Sequence, residues 1–318
     1  GPANSLPLMA THETVTGALF IEQRDGVPRG HRGLWADAWR RLLKNRLAML
    51  GLVVLVVVII IALFAAQISL VERHDPHDIT TAKQLSPTGA HWFGTDQLGR
   101  DMWARTLEGV RISIQIGLGT QVVALSLGLF FGVLAAFGGR LTDNLVMRFT
   151  DIMFSFPDLL FVILMREILV GWDVPYLNGP VIMMLAIGMI AWTTIARLVR
   201  GQMLSLGERD FVTAARALGA SRWRVVTVHM LPNTLGPVIV AVTFGIPTAI
   251  FAEAALSFLG LGIPAPAASL GTLVSDGYRV IQRNAWNVVF PAGSIAVLML
   301  CFTFIGDGLR DALDPRTR

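Results

Sequence analysis

Two carboxylates, Asp158 and Glu253, lie inside long apolar runs, where an ionisable side chain is costly and a functional role is the default expectation. There a carboxylate can relay a proton, meet a cationic group of a solute, or accept hydrogen bonds from a neighbouring helix. Asp158 follows the helix-kinking Pro157, and the structural role suits it better; for Glu253 the alternatives stay open. His74 and His77, in a His-Asp-Pro-His-Asp stretch, have no further close ligand and are expected to be solvated rather than metal-bound. A phosphate-binding loop needs Gly-Lys before Ser or Thr, and neither lysine of the chain, Lys44 or Lys83, follows a glycine. No nucleophile elbow or Ser-His-Asp signature is present, and the lone Cys301 sits in an apolar run. Catalysis, an ATP site, a metal and a resident cofactor are therefore not expected in this chain.

Segment 205–232 is the most informative. Ser205 and Glu208 are spaced as a capping box that would start a helix. Phe211, Ala214, Ala215 and Leu218 then fall at i, i+3, i+4 and i+7, one apolar stripe, with Arg209, Thr213 and Arg216 on the other face. Gly219 is placed to end the helix in the left-handed conformation, and Ser221 to cap the next one. A solvated linker needs no such stripe. A short amphipathic knob suits insertion into a partner's groove, with a helix lying on the membrane surface as the alternative.

The elements that must carry these residues are membrane spans. Of 318 residues, 53% are hydrophobic and 15% charged, against about 25% charged in soluble proteins. The net charge of +4 comes from scattered arginines, with no basic tract for nucleic acid. Apolar stretches near the roughly 20 residues that cross a bilayer occupy 47–70, 112–137, 146–165 (interrupted at Pro157), 180–195 continuing to 199, 235–259 and 288–305. Arg40, Arg41, Lys44 and Arg46 precede the first span, and Arg197, Arg200, Arg209, Arg216, Arg222 and Arg224 follow the fourth, whereas 71–111 balances six acids against five bases. The positive-inside rule then places both termini and the 197–230 loop in the cytoplasm. We therefore expect an all-α integral membrane protein with six transmembrane helices. Its order would be a flexible tail at 1–33 (Gly1-Pro2 reading as a vector-derived scar), an in-plane amphipathic helix at 34–46, the first span at 47–70, an external loop at 71–110, a transmembrane domain at 111–311 and a tail at 312–318. Gly128 and Gly132 form a small-xxx-small pattern that lets helices approach. A solute path would need polar or adaptable side chains, and Asp158, Trp192, Thr193 and Glu253 are the candidates.

Thr213-Ala214-Ala215, Gly219 and His229-Met230-Leu231-Pro232 resemble the coupling motif of bacterial ABC importer permeases: Glu-Ala-Ala, three residues, Gly, nine residues, Ile-x-Leu-Pro. Both spacings are kept, with Thr213 for the Glu and His229 for the Ile. Phe93-Gly94-Thr95-Asp96, Gly99-Arg100-Asp101, the run from Glu253 through Gly262, Phe290-Pro291-Ala292-Gly293 and the run from Gly306 through Pro315 are similar to the peptide/nickel group of these permeases. The chain looks most like a C-type subunit of an oligopeptide or dipeptide importer. The resemblance implies a type I ABC importer permease fold in the bacterial inner membrane, surrounded by membrane lipid. It implies a homologous second permease, two cytoplasmic ATPases holding ATP and magnesium, an external solute-binding protein and a peptide substrate. Phe211, Ala214, Ala215, Arg216, Leu218 and Gly219 would then couple to an ATPase. Nickel or another small solute is the alternative cargo, and a stand-alone channel or ion-coupled carrier the alternative class.

Overall fold

The computed structural model describes residues 34–64, 74–172, 174 and 177–313. The expected tail 1–33, residues 314–318 of the expected tail 312–318, and the 65–70 end of the first span lie outside them, while 312 and 313 still belong to the last helix. The described residues are helical, apart from loops and one isolated bridge between Thr95 and Asp101. The helices are α1 (Leu34–Lys44), α2 (Arg46–Phe64), α3 (Met102–Phe137), α4 (Gly139–Ser155), α5 (Asp158–Gly171), α6 (Gly179–Gly207), α7 (Asp210–Ala217), α8 (Leu231–Phe258), α9 (Leu270–Tyr278) and α10 (Trp286–Leu313). A helical turn at Arg222–Arg224 and a π-helical stretch at Val225–Met230 lead into α8.

The short amphipathic α1 packs Ala38 and Leu42 onto Ala48 and Ala312, while Trp39 and Leu43 stay exposed. Asn45 separates it from α2, and its Oδ1 accepts from the Ala48 amide at 3.1 Å. α2 buries Leu55 and Ala62 but leaves Val53, Val56, Val57 and Ile60 exposed, an apolar face that only lipid or another apolar subunit can cover. Arg111 closes the end of this helix, its Nη2 donating to the Ala62 carbonyl at 2.6 Å.

Five described helices are long and apolar enough to cross a membrane. The expected stretch at 146–165 is the exception. It is split into α4 and α5, because Pro157 supplies no amide and holds Phe156 extended (φ −84°, ψ 139°). The second span begins at Met102 rather than 112. The Asp101 carboxylate caps it, accepting from the Ala104 amide at 2.9 Å, and Arg105, Glu108 and Arg111 on its first turns hide this extension from a hydropathy reading.

The central seam lies between α3 and α6. A Cβ on Gly128 would stand 2.5 Å from Ile195 Cβ, and one on Gly132 2.7 Å from Val199 Cβ, so the small-xxx-small spacing does set a backbone approach that larger residues would prevent. Loop 74–101 is tied to the 259–285 segment by Asn284 Nδ2, which donates to the Leu85 carbonyl at 2.9 Å, and by Gln97 Nε2, which donates to the Asp276 carbonyl at 3.0 Å. This loop cluster sits where α8 ends and α10 begins. α7 and α1 lie at the far ends of those two helices.

Candidate functional site

The sequence points to two places, a cavity between helices and the α7 knob. The cavity has a volume of about 660 Å³ and is walled by α3, α5, α6 and α8. Its surface is mainly apolar, with Thr120, Gln121, Asp158, Thr193, Thr194 and Thr248 as its polar points. Asp158 opens α5 immediately after the proline break, so the kink is what presents the carboxylate to the cavity. The Thr193 hydroxyl donates back to the Ile190 carbonyl at 2.8 Å, leaving its methyl as the larger contribution to the wall. Gln121 fits because α8 has Gly245 opposite, where a Cβ would meet the Gln121 amide oxygen. Thr120, Gln121 and Thr248 were missed from sequence, although a polar side chain inside a span was the signal available.

Trp192 and Glu253 do not line this cavity. Trp192 is buried in the α3–α6 core, its ring 4.7 Å from Phe131 and 5.9 Å from Phe149. Glu253 is fully buried, and its Oε1 accepts from Ser257 Oγ at 2.6 Å and Ser269 Oγ at 2.5 Å. Ser269 caps α9 in turn, accepting from the Thr272 amide at 3.1 Å. The carboxylate thus pins α9 to the end of α8.

At the opposite end the knob departs from the expected pattern in three ways. α6 continues through Gly207, so Ser205 lies within it and Glu208 is its C-cap; no capping box forms, and α7 starts from Arg209 without a side-chain cap. Arg197 and Arg200, expected in a loop, are therefore helical and hold α4: Arg197 Nη2 donates to Asp151 Oδ1 at 2.8 Å, and Arg200 pairs with Asp143 through two bonds. The stripe is also divided. Val212, fully buried, and Ala215 face Met203, Val225, Val226 and Met230, whereas Phe211, Ala214 and Leu218 face outward with Arg216 also exposed. Eight residues make barely two turns, so Phe211-Ala214-Ala215-Leu218 fitted one face while Val212 marked the other.

Gly219 has φ +85°, donates to the Arg216 carbonyl at 3.0 Å, and is followed by the Ala220 amide donating to the Ala215 carbonyl at 3.0 Å. This is the paired hydrogen-bonding of a Schellman stop, as the spacing predicts. Ser221 Oγ accepts from the Arg224 amide at 3.3 Å and caps the next turn. Trp223, exposed between two arginines just after the knob, went unremarked in the sequence. Nor are the loop histidines simply solvated: His77 is 3.5 Å from Glu108, and His74 stacks on His91, whose Nδ1 is 2.7 Å from Asp101 Oδ2.

Long lipid-facing helices around a polar-dotted cavity, with a small exposed knob at one end, define a multi-pass transport subunit. Comparison with known proteins gives the particular family. The model of the binding-protein-dependent transport system inner membrane component matches residues 128–318, and that of the N-terminal TM domain of oligopeptide transport permease C matches residues 33–87. The oligopeptide transport system permease protein OppC of Bacillus subtilis is 43% identical over 289 residues, 90% of each chain. DppC, the dipeptide transport system permease protein of the same organism, is 40% identical, covering 96% of this chain and 95% of its own. The OppC protein of Escherichia coli K12 is 40% identical over 90% of this chain and 93% of its own. Among solved structures, a chain of the MetNI methionine ABC transporter, inward facing, superposes with a TM-score of 0.53 at 22% identity, covering 67% of this chain and 98% of that one, and so shares the fold. The protein belongs to the binding-protein-dependent inner membrane permeases. It is a multi-pass inner-membrane permease subunit of the ABC transporter type, and it is not an enzyme.

Proposed function

We propose that this chain is one of two homologous transmembrane subunits of an ATP-driven importer of oligopeptides or dipeptides. Two cytoplasmic ATPases bind ATP and magnesium, an external solute-binding protein delivers the peptide, and this chain converts ATPase closure into alternating access. The peptide cargo is supported by relatives that match nearly the whole chain, an oligopeptide and a dipeptide transport system permease protein. Reliance on partner ATPases is supported by the absence of any Gly-Lys-Ser/Thr segment in the sequence.

The observation that carries the reading is the placement of the knob. Phe211, Ala214 and Leu218 are offered to a partner, while Val212 seats the same helix on α6 and on the entry to α8, two helices that also wall the cavity. Gly219 aims the knob, and Ala215 acts from beneath it. Both termini and Arg216 are cytoplasmic in this reading and His91 and Arg279 external, with α4 and α5 together supplying the sixth crossing. Asp158 and Thr193 belong to the solute path on the cavity wall, and Glu253 supports the helix ends behind it. The test is to reconstitute the permease pair with its ATPases and binding protein in liposomes, then follow labelled tripeptide uptake beside ATP hydrolysis. ATP-dependent peptide uptake is the expected result. A complete assembly that hydrolyses ATP but accumulates no peptide would overturn the assignment.

A further inference from the structure

A second cavity, about 340 Å³, lies at the loop-cluster end of the molecule, the opposite end of α8 from the knob. Four guanidinium-bearing side chains line it, Arg100, Arg105, Arg166 and Arg279, and Asp276 is the one acid among its described lining residues. The arginines come from separate elements: the turn before α3, α3 itself, the second half of α5 and the end of α9. Two of them have local counter-charges. Arg100 Nε donates to Asp96 Oδ2 at 2.7 Å, and Arg166 pairs with the adjacent Glu167 while its Nη2 donates to the Gly262 carbonyl at 3.3 Å.

Arg105 is the informative member. It is only 3% exposed, and its nearest acid oxygen is Asp96 Oδ2 at 3.4 Å, already taken by Arg100. Its Nε and Nη1 are buried without a hydrogen-bond partner among the described residues. A buried guanidinium with idle donors is costly unless an acceptor completes it. Among the described lining residues four arginines face one acid, Asp276; Asp96 and Glu167 pair with Arg100 and Arg166, and the Glu108 carboxylate is also close enough to act on Arg105. A planar anionic acceptor able to take two parallel N–H donors matches the vacant donors of Arg105 and the arginine-rich lining, and a carboxylate has that shape.

We propose that this arginine-lined cavity is a carboxylate-binding site at the outer mouth of the permease. Its external placement rests on the transport reading above; the site chemistry rests on Arg105 and its neighbours. Two sources supply such a group in that reading: the C-terminal carboxylate of an arriving peptide, and an acidic side chain of the docked solute-binding protein. The chemistry at the site is the same for both.

Phenylglyoxal modification of arginine, mapped residue by residue by mass spectrometry on the purified permease–ATPase complex, reads the site directly. Trialanine should slow labelling of Arg279 and Arg166 several-fold, and trialanine amide at the same concentration should not. Protection by the free acid alone identifies the peptide terminus. Protection by unloaded binding protein, abolished when its acidic surface residues are amidated, identifies the partner's side chains. Equal labelling with acid, amide and binding protein would overturn the proposal. In a second arm, Arg279→Gln should reduce the uptake preference for trialanine over its amide by about tenfold, the worth of one charge-assisted hydrogen bond. A preference unchanged in Arg279→Gln would exclude the cargo terminus as the source. A wild-type complex that imports neither peptide sinks the transport reading alone, because the labelling result does not depend on uptake.

Discussion

Shortening Leu218 separates the two faces of the knob. Leu218 is 89% exposed and Phe211 44% exposed, whereas Val212, next to Phe211, is fully buried within the chain. Covering an exposed leucine in a partner groove is worth about 1.5–3 kcal/mol, and Leu218→Ala removes three carbons of that surface, about 2 kcal/mol at ~0.8 kcal/mol per carbon. Since 1.4 kcal/mol is a factor of ten, ATPase affinity for the permease should fall roughly 30-fold. The same substitution should leave the melting temperature of the isolated permease unchanged, because the side chain touches little of its own protein. Val212→Ala should do the reverse, lowering the melting temperature by opening the packing beneath α7. Titrating labelled ATPase into detergent-solubilised permease gives the affinity, and binding-protein-stimulated hydrolysis gives the coupling. Full affinity and full coupling in Leu218→Ala would show that the exposed stripe is not the ATPase contact.

Four further outcomes are expected. Gly219→Val should impair uptake while Gly219→Asn is mild: nothing lies within 4 Å of a Cβ there, so the penalty, about 1–3 kcal/mol, is backbone strain that asparagine tolerates better, and side-by-side uptake assays compare them. Gly128→Ala should destabilise the α3–α6 seam by about 1–3 kcal/mol through overpacking against Ile195, read as a lower melting temperature in detergent. Glu253→Ala should cost about 1–3 kcal/mol by stranding the Ser257 and Ser269 hydroxyls, whereas Glu253→Gln keeps an acceptor and should preserve both stability and uptake; lost transport in a stable Glu253→Gln protein would make the charge functional. Cysteines placed at 91 and 216 should label from opposite faces of sealed vesicles, and labelling from the same face would contradict the six-span arrangement.

Hydropathy located the long spans because their outward faces are continuous apolar surface, as with Val53, Val56, Val57 and Ile60. It failed where a helix runs past the apolar zone: the charged first turns of α3 and the arginines at the end of α6 are helical but do not read as span. Local stop chemistry was legible at Gly219 and Ser221, since each depends on one residue and its immediate backbone. The capping box at Ser205 was not, because extension of α6 used those residues first. Cavity membership was the least legible property. Trp192 and Thr193 are adjacent in sequence, yet the ring enters the core and the threonine meets the cavity, a difference set by the rotation of α6 against α3.

The proposed coupling needs no chain of contacts between distant sites, because the same helices reach both. α6 carries Met203 under the knob and Ile187 on the cavity wall, about 24 Å apart at 1.5 Å per residue. α8, about 42 Å long, begins beside Val225 and Val226 and ends at the Glu253 anchor of α9. In the proposed coupling, a partner gripping Phe211 and Leu218 would move two cavity walls together. The break at Pro157 gives α5 a separate attachment to the cavity, since its first residue follows an extended Phe156 rather than a continuous helix. The walls that α6 and α8 contribute can shift together against the wall that α5 contributes. Long helices that reach both ends on one side and a hinged segment on the other suit a cavity that opens alternately at its two ends.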